Sequence, residues 1–249
     1  MQSNMIQRYF SFALLSVILC FLSARLNGQS VTDNPRYYEW FDSQVGLENT
    51  GLYQGILYRE QYRTINDKTK VLGSPEFHEG SLIYDGEPYI GQQLKYDIFG
   101  DELLIKIEDR LGGNTLQLFK EHVSEFVIDN RPFVNIKNAG ADSEIHGFYE
   151  VSFKNNGISL LTKHRKRVFS RKDRSSLYYE FTDGKKEYVL NYKSHLYPIT
   201  GKKDLTNIFP DLEDQINSFY NQARTLRRND PHAFMVGLVQ RIGNLLPLD

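Results

Sequence analysis

Between Leu52 and Tyr192 apolar and polar side chains alternate with a period of two. Leu94, Tyr96 and Ile98 alternate with Lys95 and Asp97. Leu103, Ile105 and Ile107 alternate with Leu104, Lys106 and Glu108, and Tyr149, Val151 and Phe153 with Glu150 and Ser152. Successive side chains of a strand point to opposite faces, so the pattern predicts strands with one buried and one wet face. It places Tyr96, Ile105 and Val151 inward. Turn residues separate the runs. Asp85-Gly86 is the strongest signal, because both residues accept the positive φ of a tight hairpin turn. Gly100-Asp101, Gly112-Gly113-Asn114, Asp129-Asn130, Asn155-Asn156-Gly157 and Asp183-Gly184 continue the series. Short strands bounded in this way predict an antiparallel meander of about ten to twelve strands, and a twisted sheet of that size tends to curl. The expected fold is mainly β: an antiparallel meander over residues 51–200, curled into a soluble barrel or half-barrel. No repeat at a fixed period points to a propeller or solenoid.

Residues 201–249 change period. Pro210 can open a helix, with Asp211, Glu213 and Asp214 in its first turn and Arg224, Arg227 and Arg228 at its far end, matching the helix dipole. Leu212, Ile216, Phe219 and Ala223 form one apolar stripe. Asp230-Pro231 restarts the pattern, and Phe234, Leu238, Ile242 and Leu245 form a second stripe that ends before Pro247. Two C-terminal amphipathic helices packed on the β domain are expected. An outer-membrane barrel would need an outward apolar band. Here the outward positions are repeatedly Lys, Glu, Asp and Gln.

The first 28 residues read as a cleavable signal peptide. A polar stretch ends at Arg8, an apolar run covers Phe10 to Ala24, and small residues follow near Gly28. That run is shorter than the roughly 20 residues a membrane-spanning helix needs. Cleavage near Gly28 starts the mature chain at Gln29, and residues 29–50 read as an irregular lead-in. Cys20 is the only cysteine, so the mature domain would be held by its core rather than by disulfides. Removing Arg8 and Arg25 from 30 basic residues leaves 28 against 31 acidic ones, a net charge near −3. This balance disfavours nucleic acid as a partner.

Gly80-Ser81-Leu82-Ile83-Tyr84-Asp85-Gly86, then Tyr89 and Leu94-Lys95-Tyr96-Asp97, resemble uncharacterised exported β-rich envelope proteins of Gram-negative bacteria. So do Gly147-Phe148-Tyr149-Glu150-Val151 leading to Leu160-Leu161, and Lys203-Asp204-Leu205 leading to Ile208-Phe209-Pro210. The resemblance implies a periplasmic or outer-membrane-associated protein of no assigned activity, and it carries over no catalytic residue.

The densest charge feature is Lys163, Arg165, Lys166 and Arg167, followed by Arg171, Lys172 and Arg174. Neighbouring cations on a strand cannot both avoid an apolar core, so the tract is expected to project as a hairpin tip or long loop. It is the candidate binding site, for a protein partner or an anionic lipid surface. His78, His122, His146, His164, His195 and His232 stand far apart, with no metal-ligand spacing, and no catalytic or cofactor motif is present. Asp97, Asp101 and Glu102 could form a carboxylate pair, but read as solvated turn acids. The sequence thus favours a non-catalytic exported envelope protein that binds a protein partner or supports an outer-membrane assembly. The alternatives are a soluble carrier of an apolar, lipid-like ligand and a hydrolase with an unrecognised site.

Overall fold

A computed structural model describes residues 50–64, 67–109, 112–137, 144–155, 157–173 and 176–246. The expected leader, Cys20, the lead-in up to residue 49 and Arg174 lie outside the described residues. Thirteen strands are described: β1 (Gly55–Leu57), β2 (His78–Tyr84), β3 (Glu87–Asp97), β4 (Glu102–Asp109), β5 (Gly112–Leu118), β6 (Val123–Ile128), β7 (Arg131–Ile136), β8 (Gly147–Asn155), β9 (Ile158–Lys163), β10 (Lys166–Asp173), β11 (Ser176–Asp183), β12 (Glu187–Tyr192) and β13 (His195–Ile199). Four helices follow: α1 (Lys202–Ile208), α2 (Glu213–Gln222), α3 (Arg224–Asn229) and α4 (Pro231–Leu245). The mainly β, antiparallel expectation with a helical tail holds. No described helix is long and apolar enough to cross a membrane.

Eleven strands form one sheet in the order β1-β5-β4-β3-β2-β6-β7-β8-β9-β12-β13, and β10 pairs with β11 apart from it. This corrects the simple meander in three places. β1 pairs with β5 rather than with β2, β6 returns beside β2 rather than beside β5, and β10–β11 leave the sheet so that β9 pairs with β12. Alternation fixes which face of a strand is buried, but says nothing about the edge it joins. The turn chemistry is as expected at Asp85-Gly86, where φ is 52° and 85°.

The sheet is strongly bent. Four strand spacings separate β5 from β6, about 19 Å if the sheet were flat. The connection from Leu118 to Val123 would reach only about 18 Å fully stretched. It is instead folded, with His122 N–H donating to Phe119 O at 3.0 Å and Val123 N–H to Lys120 O at 3.2 Å. The bend also brings Tyr96 on β3 to 5.8 Å, ring to ring, from Phe148 on β8, four strands away. Tyr96 further meets Phe126 and Phe133, which stack on each other at 4.7 Å. These rings are buried with Leu94, Leu103, Ile105 and Ile107 in the largest core cluster. Each such side chain contributes about 1.5–3 kcal/mol by leaving water.

Strand β8 departs from the expected register. Tyr149 and Val151 pack with Leu161 and Val189 on the face opposite Phe148. Val151 is therefore half-buried on the other face, not inward beside Tyr96. A bulge between Val151 and Phe153 turns Phe153 toward the helices instead. Glu150, expected to be wet, is buried.

The tail covers the far half of the sheet. Ile216, Phe234, Leu238 and Ile242 pack with Ile158, Leu160, Leu190 and Ile199. Asp230 caps α4 by accepting from His232 N–H at 3.1 Å and Ala233 N–H at 2.9 Å. Three details differ from the sequence expectation. α1 precedes Pro210, the helix expected from Pro210 breaks at Ala223, and Leu245 is exposed. Asp204 supports the unexpected helix by accepting from Thr200 N–H at 2.7 Å and Gly201 N–H at 3.0 Å.

Candidate functional site

The basic tract divides into a buried root and an exposed ribbon. Lys163 ends β9 with its side chain 3% exposed. Its ammonium donates to Asp101 Oδ2 at 2.8 Å and to the His146 carbonyl at 3.2 Å. Asp101 also accepts from the Tyr96 hydroxyl at 2.8 Å and from Lys120 at 3.0 Å. Burial lowers the Lys163 pKa, and Asp101 opposes that fall. This approach needs glycine at 147. Its φ is +82°, and a Cβ there would overlap the Asp101 carboxylate. Lys163 is thus a structural ion-pair partner rather than a surface docking residue.

His164 is buried as well. Its Nε2 lies 2.5 Å from Glu150 Oε2, and Arg131 holds the same carboxylate through two contacts at 3.1 and 2.6 Å. Burial pushes the Glu150 pKa up, but the hydrogen bonds and charges of His164 and Arg131 outweigh it and hold the group at about 2. Its folded pKa is therefore below the unfolded value, and the unfolded chain binds more protons between the two. The stabilisation is complete above about pH 4.5 and is lost as pH falls toward 2, an effect of about 3 kcal/mol. Urea midpoints between pH 7 and 3 should fall for the wild type. For Glu150→Gln they should start lower and change less, and equal pH slopes would refute the pairing.

Asp97, Asp101 and Glu102 are not the free turn acids the sequence suggested. Asp97 is 1% exposed, pairs with Lys70 at 2.8 Å, and accepts from Gly100 N–H at 3.0 Å. Lys70, itself buried, also meets Glu60 at 3.2 Å and the Tyr58 hydroxyl at 2.6 Å. Glu102 lies opposite Asp97 in a cleft of about 250 Å³ lined by Tyr62, Phe99 and Gln117. Its pKa is raised by burial and then by Asp97. Among the described residues no three His, Cys, Asp or Glu side chains gather as a metal site.

Arg165 is exposed just before the β10–β11 ribbon, whose strands pair from Lys166↔Asp183 to Asp173↔Ser176. Lys166 is largely covered, and from Arg167 onward the tract is exposed. Arg165 grips Glu187 through contacts at 2.9 and 2.7 Å, Lys166 meets Asp183 at 2.9 Å, and Arg171 meets Glu180 at 3.2 Å. Arg167 and Lys172 have no carboxylate partner among the described residues. The ribbon root is anchored by Tyr62, which stands edge-on to Phe99, Tyr179 and Phe181. Backbone bonds from Tyr179 N–H to Arg63 O and from Phe181 N–H to Lys68 O occupy the outer edge of β11. The edge of β10 is left without a strand partner among the described residues.

Beside the cations the ribbon exposes Val168, Phe169 and Leu177, with Phe169 at 50%. Arg167, Phe169 and Arg171 alternate onto one face, and cross-strand register brings Lys172 opposite Leu177. Sequence reasoning found the basic residues but missed the acids that neutralise them. Glu180, Asp183 and Glu187 come from later strands, and only the cross-strand register pairs them. The apolar side chains carried signals of ordinary strand residues. No family model matches the chain, no curated protein matches it, and no solved structure matches it.

Proposed function

We propose that this chain is a non-catalytic exported protein of the cell envelope that binds a protein partner or supports an outer-membrane assembly, with the β10–β11 ribbon as its docking element. The observation that carries this reading is the edge of β10, exposed from Arg167 to Asp173 and paired on one side only. An unpaired edge offers backbone donors and acceptors to an added strand. Arg167, Arg171 and Lys172 oppose pairing with another copy of the same edge, and favour an acidic extended segment, while Val168 and Phe169 supply apolar area. The signal-like leader and the resemblance to envelope proteins support export. The bent sheet reads as a half-barrel whose hollow is filled by Tyr96, Phe126, Phe133 and Phe148, which suits a rigid scaffold.

A second reading, a carrier of an apolar ligand, draws on a cleft of about 560 Å³ lined in part by Ile145, Tyr149, Tyr188, Val189, Ile199 and Met235. Both readings are tested on protein purified from solubilised envelope. An intact mass beginning at Gln29 is expected. Wild type should retain a protein partner at low salt and release it at high salt, since exposed charges are screened within about 8 Å at physiological ionic strength. The triple variant Arg167→Ser, Phe169→Ser, Lys172→Ser should fold normally and lose the partner. Equal recovery by both proteins would sink the ribbon as docking element. A retained lipid in native mass spectra would favour the carrier, and binding of both proteins to anionic vesicles alike would remove the tract from any lipid contact.

A further inference from the structure

Several cations elsewhere in the described residues meet acids. Lys70 touches Asp97, Lys163 touches Asp101, Arg131 touches Glu150, Arg165 touches Glu187, Lys166 touches Asp183 and Arg171 touches Glu180, all at 3.2 Å or less. Four cations of the helical tail do not. Lys202 of α1 and Arg224, Arg227 and Arg228 of α3 line an open concavity of about 740 Å³, completed by Tyr220, Asn221 and Thr225. No acid lines it, and no carboxylate ion-pairs with any of the four among the described residues. Their partners are neutral: Lys202 donates to Asn217 Oδ1 at 2.8 Å, and Arg224 to Asn221 Oδ1 at 3.5 Å. Lys202 and Arg227 both approach the Tyr220 ring, at 5.9 and 5.3 Å from its centre.

Helix electrostatics explain half of this arrangement. Arg227 and Arg228 sit in the last turn of α3, where the dipole favours cations. Lys202 and Arg224 are the first residues of α1 and α3, where the same dipole opposes them. Folding therefore gathers four like charges around one hollow, two of them at unfavourable helix ends, without an internal counter-charge. An anion from outside would relieve that repulsion. Guanidinium groups offer planar, paired donors that match phosphate oxygens, and the lysine adds a point charge. The concave shape fits a discrete group that enters it.

We propose that this concavity binds a phosphate group, presented either by a small phosphorylated solute or by a phosphate-bearing headgroup. Binding here is independent of the ribbon and uses none of its residues.

The test uses the full mature chain and inorganic pyrophosphate as probe, read by titration calorimetry and by the shift in melting temperature. Wild type should bind, with affinity falling steeply as salt rises. Arg224→Gln and Arg228→Gln together should weaken it by about tenfold or more for each guanidinium removed. Both side chains are exposed, so circular dichroism should show the fold unchanged. Arg241→Gln, an exposed cation of α4 outside the concavity, should bind like wild type, and so should the ribbon triple variant. A second arm uses phosphatidylcholine vesicles with and without phosphatidic acid. Co-sedimentation that needs phosphatidic acid and is competed by pyrophosphate assigns the headgroup, and pyrophosphate binding without co-sedimentation assigns a soluble phosphate. Failure of wild type to bind either probe at low salt, or equal binding by wild type and the double variant, would overturn the proposal.

Discussion

Replacing Ile105 with Asp is expected to abolish the cooperative unfolding transition at neutral pH. Ile105 is 0% exposed and sits between Leu94 on β3 and Leu116 on β5, in the cluster that fills the bend of the sheet. A carboxylate there would find apolar neighbours on both sides. An unpaired buried charge costs more than about 4 kcal/mol, and the lost isoleucine packing adds to that, against a total stability on the order of 5–15 kcal/mol. Two companions calibrate the effect in urea unfolding. Ile105→Val should cost about 0.5–1.5 kcal/mol and keep a sharp transition. Glu125→Ala, at an exposed position of β6, should stay within about 0.5 kcal/mol. An Ile105→Asp protein with a wild-type midpoint would mean that β4 presents its other face to the core.

The face of a strand was legible wherever alternation ran unbroken. Leu94, Tyr96, Leu103, Ile105 and Ile107 are all buried together, as period two requires. The same rule failed at β8, where Tyr149 and Val151 lie on the face opposite Phe148 and the bulge after Val151, which leaves no signature in composition, turns Phe153 toward the helices. Turns were legible where glycine or asparagine marked a positive φ, as at Asp85-Gly86 and Asp129-Asn130. Lys193 and Ser194 adopt the same conformation, with φ of 50° and 62°, and carry no such mark. Strand order was illegible for a different reason. The return of β6 to β2 depends on the curvature of the sheet, which no single segment encodes.

The candidate site shows the same division. A run of basic residues is visible in sequence, but charge compensation is a property of register. Asp183 and Glu187 stand well beyond the tract in the chain and meet it across strands. Conversely, Lys202 and the arginines of α3 are separated by a helix, so no tract announced the hollow they line. Read as helix-dipole partners, the arginines looked satisfied, and only the folded tail brings Lys202 to them.

Asp101→Asn should be nearly as damaging as a core lesion, although residue 101 lies in a turn. The substitution keeps an acceptor for the Tyr96 hydroxyl but removes the charge that faces Lys163, whose side chain is 3% exposed. Removing one partner of a buried pair strands the other, at a cost of about 3–5 kcal/mol. Two further measurements separate this cause from a general loss of packing. Lys163→Met on the Asp101→Asn background should recover most of the loss, because the stranded charge is then gone. The single variant should also become less destabilised as pH rises from 7 toward 10. Burial already lowers the folded-state pKa of Lys163 below its unfolded value, and losing Asp101 lowers it further. The unfolded chain then binds more protons in that window, so stability increases with pH. The pair joins the β3–β4 turn to the end of β9, six strands away from β4 in the sheet order. A flat sheet could not bring them together. Faster amide exchange in β8 and β9 of Asp101→Asn, with β12 and α4 unchanged, would locate the tie that holds the bend. Wild-type stability and exchange in this variant would mean that the bend is held by the aromatic core alone.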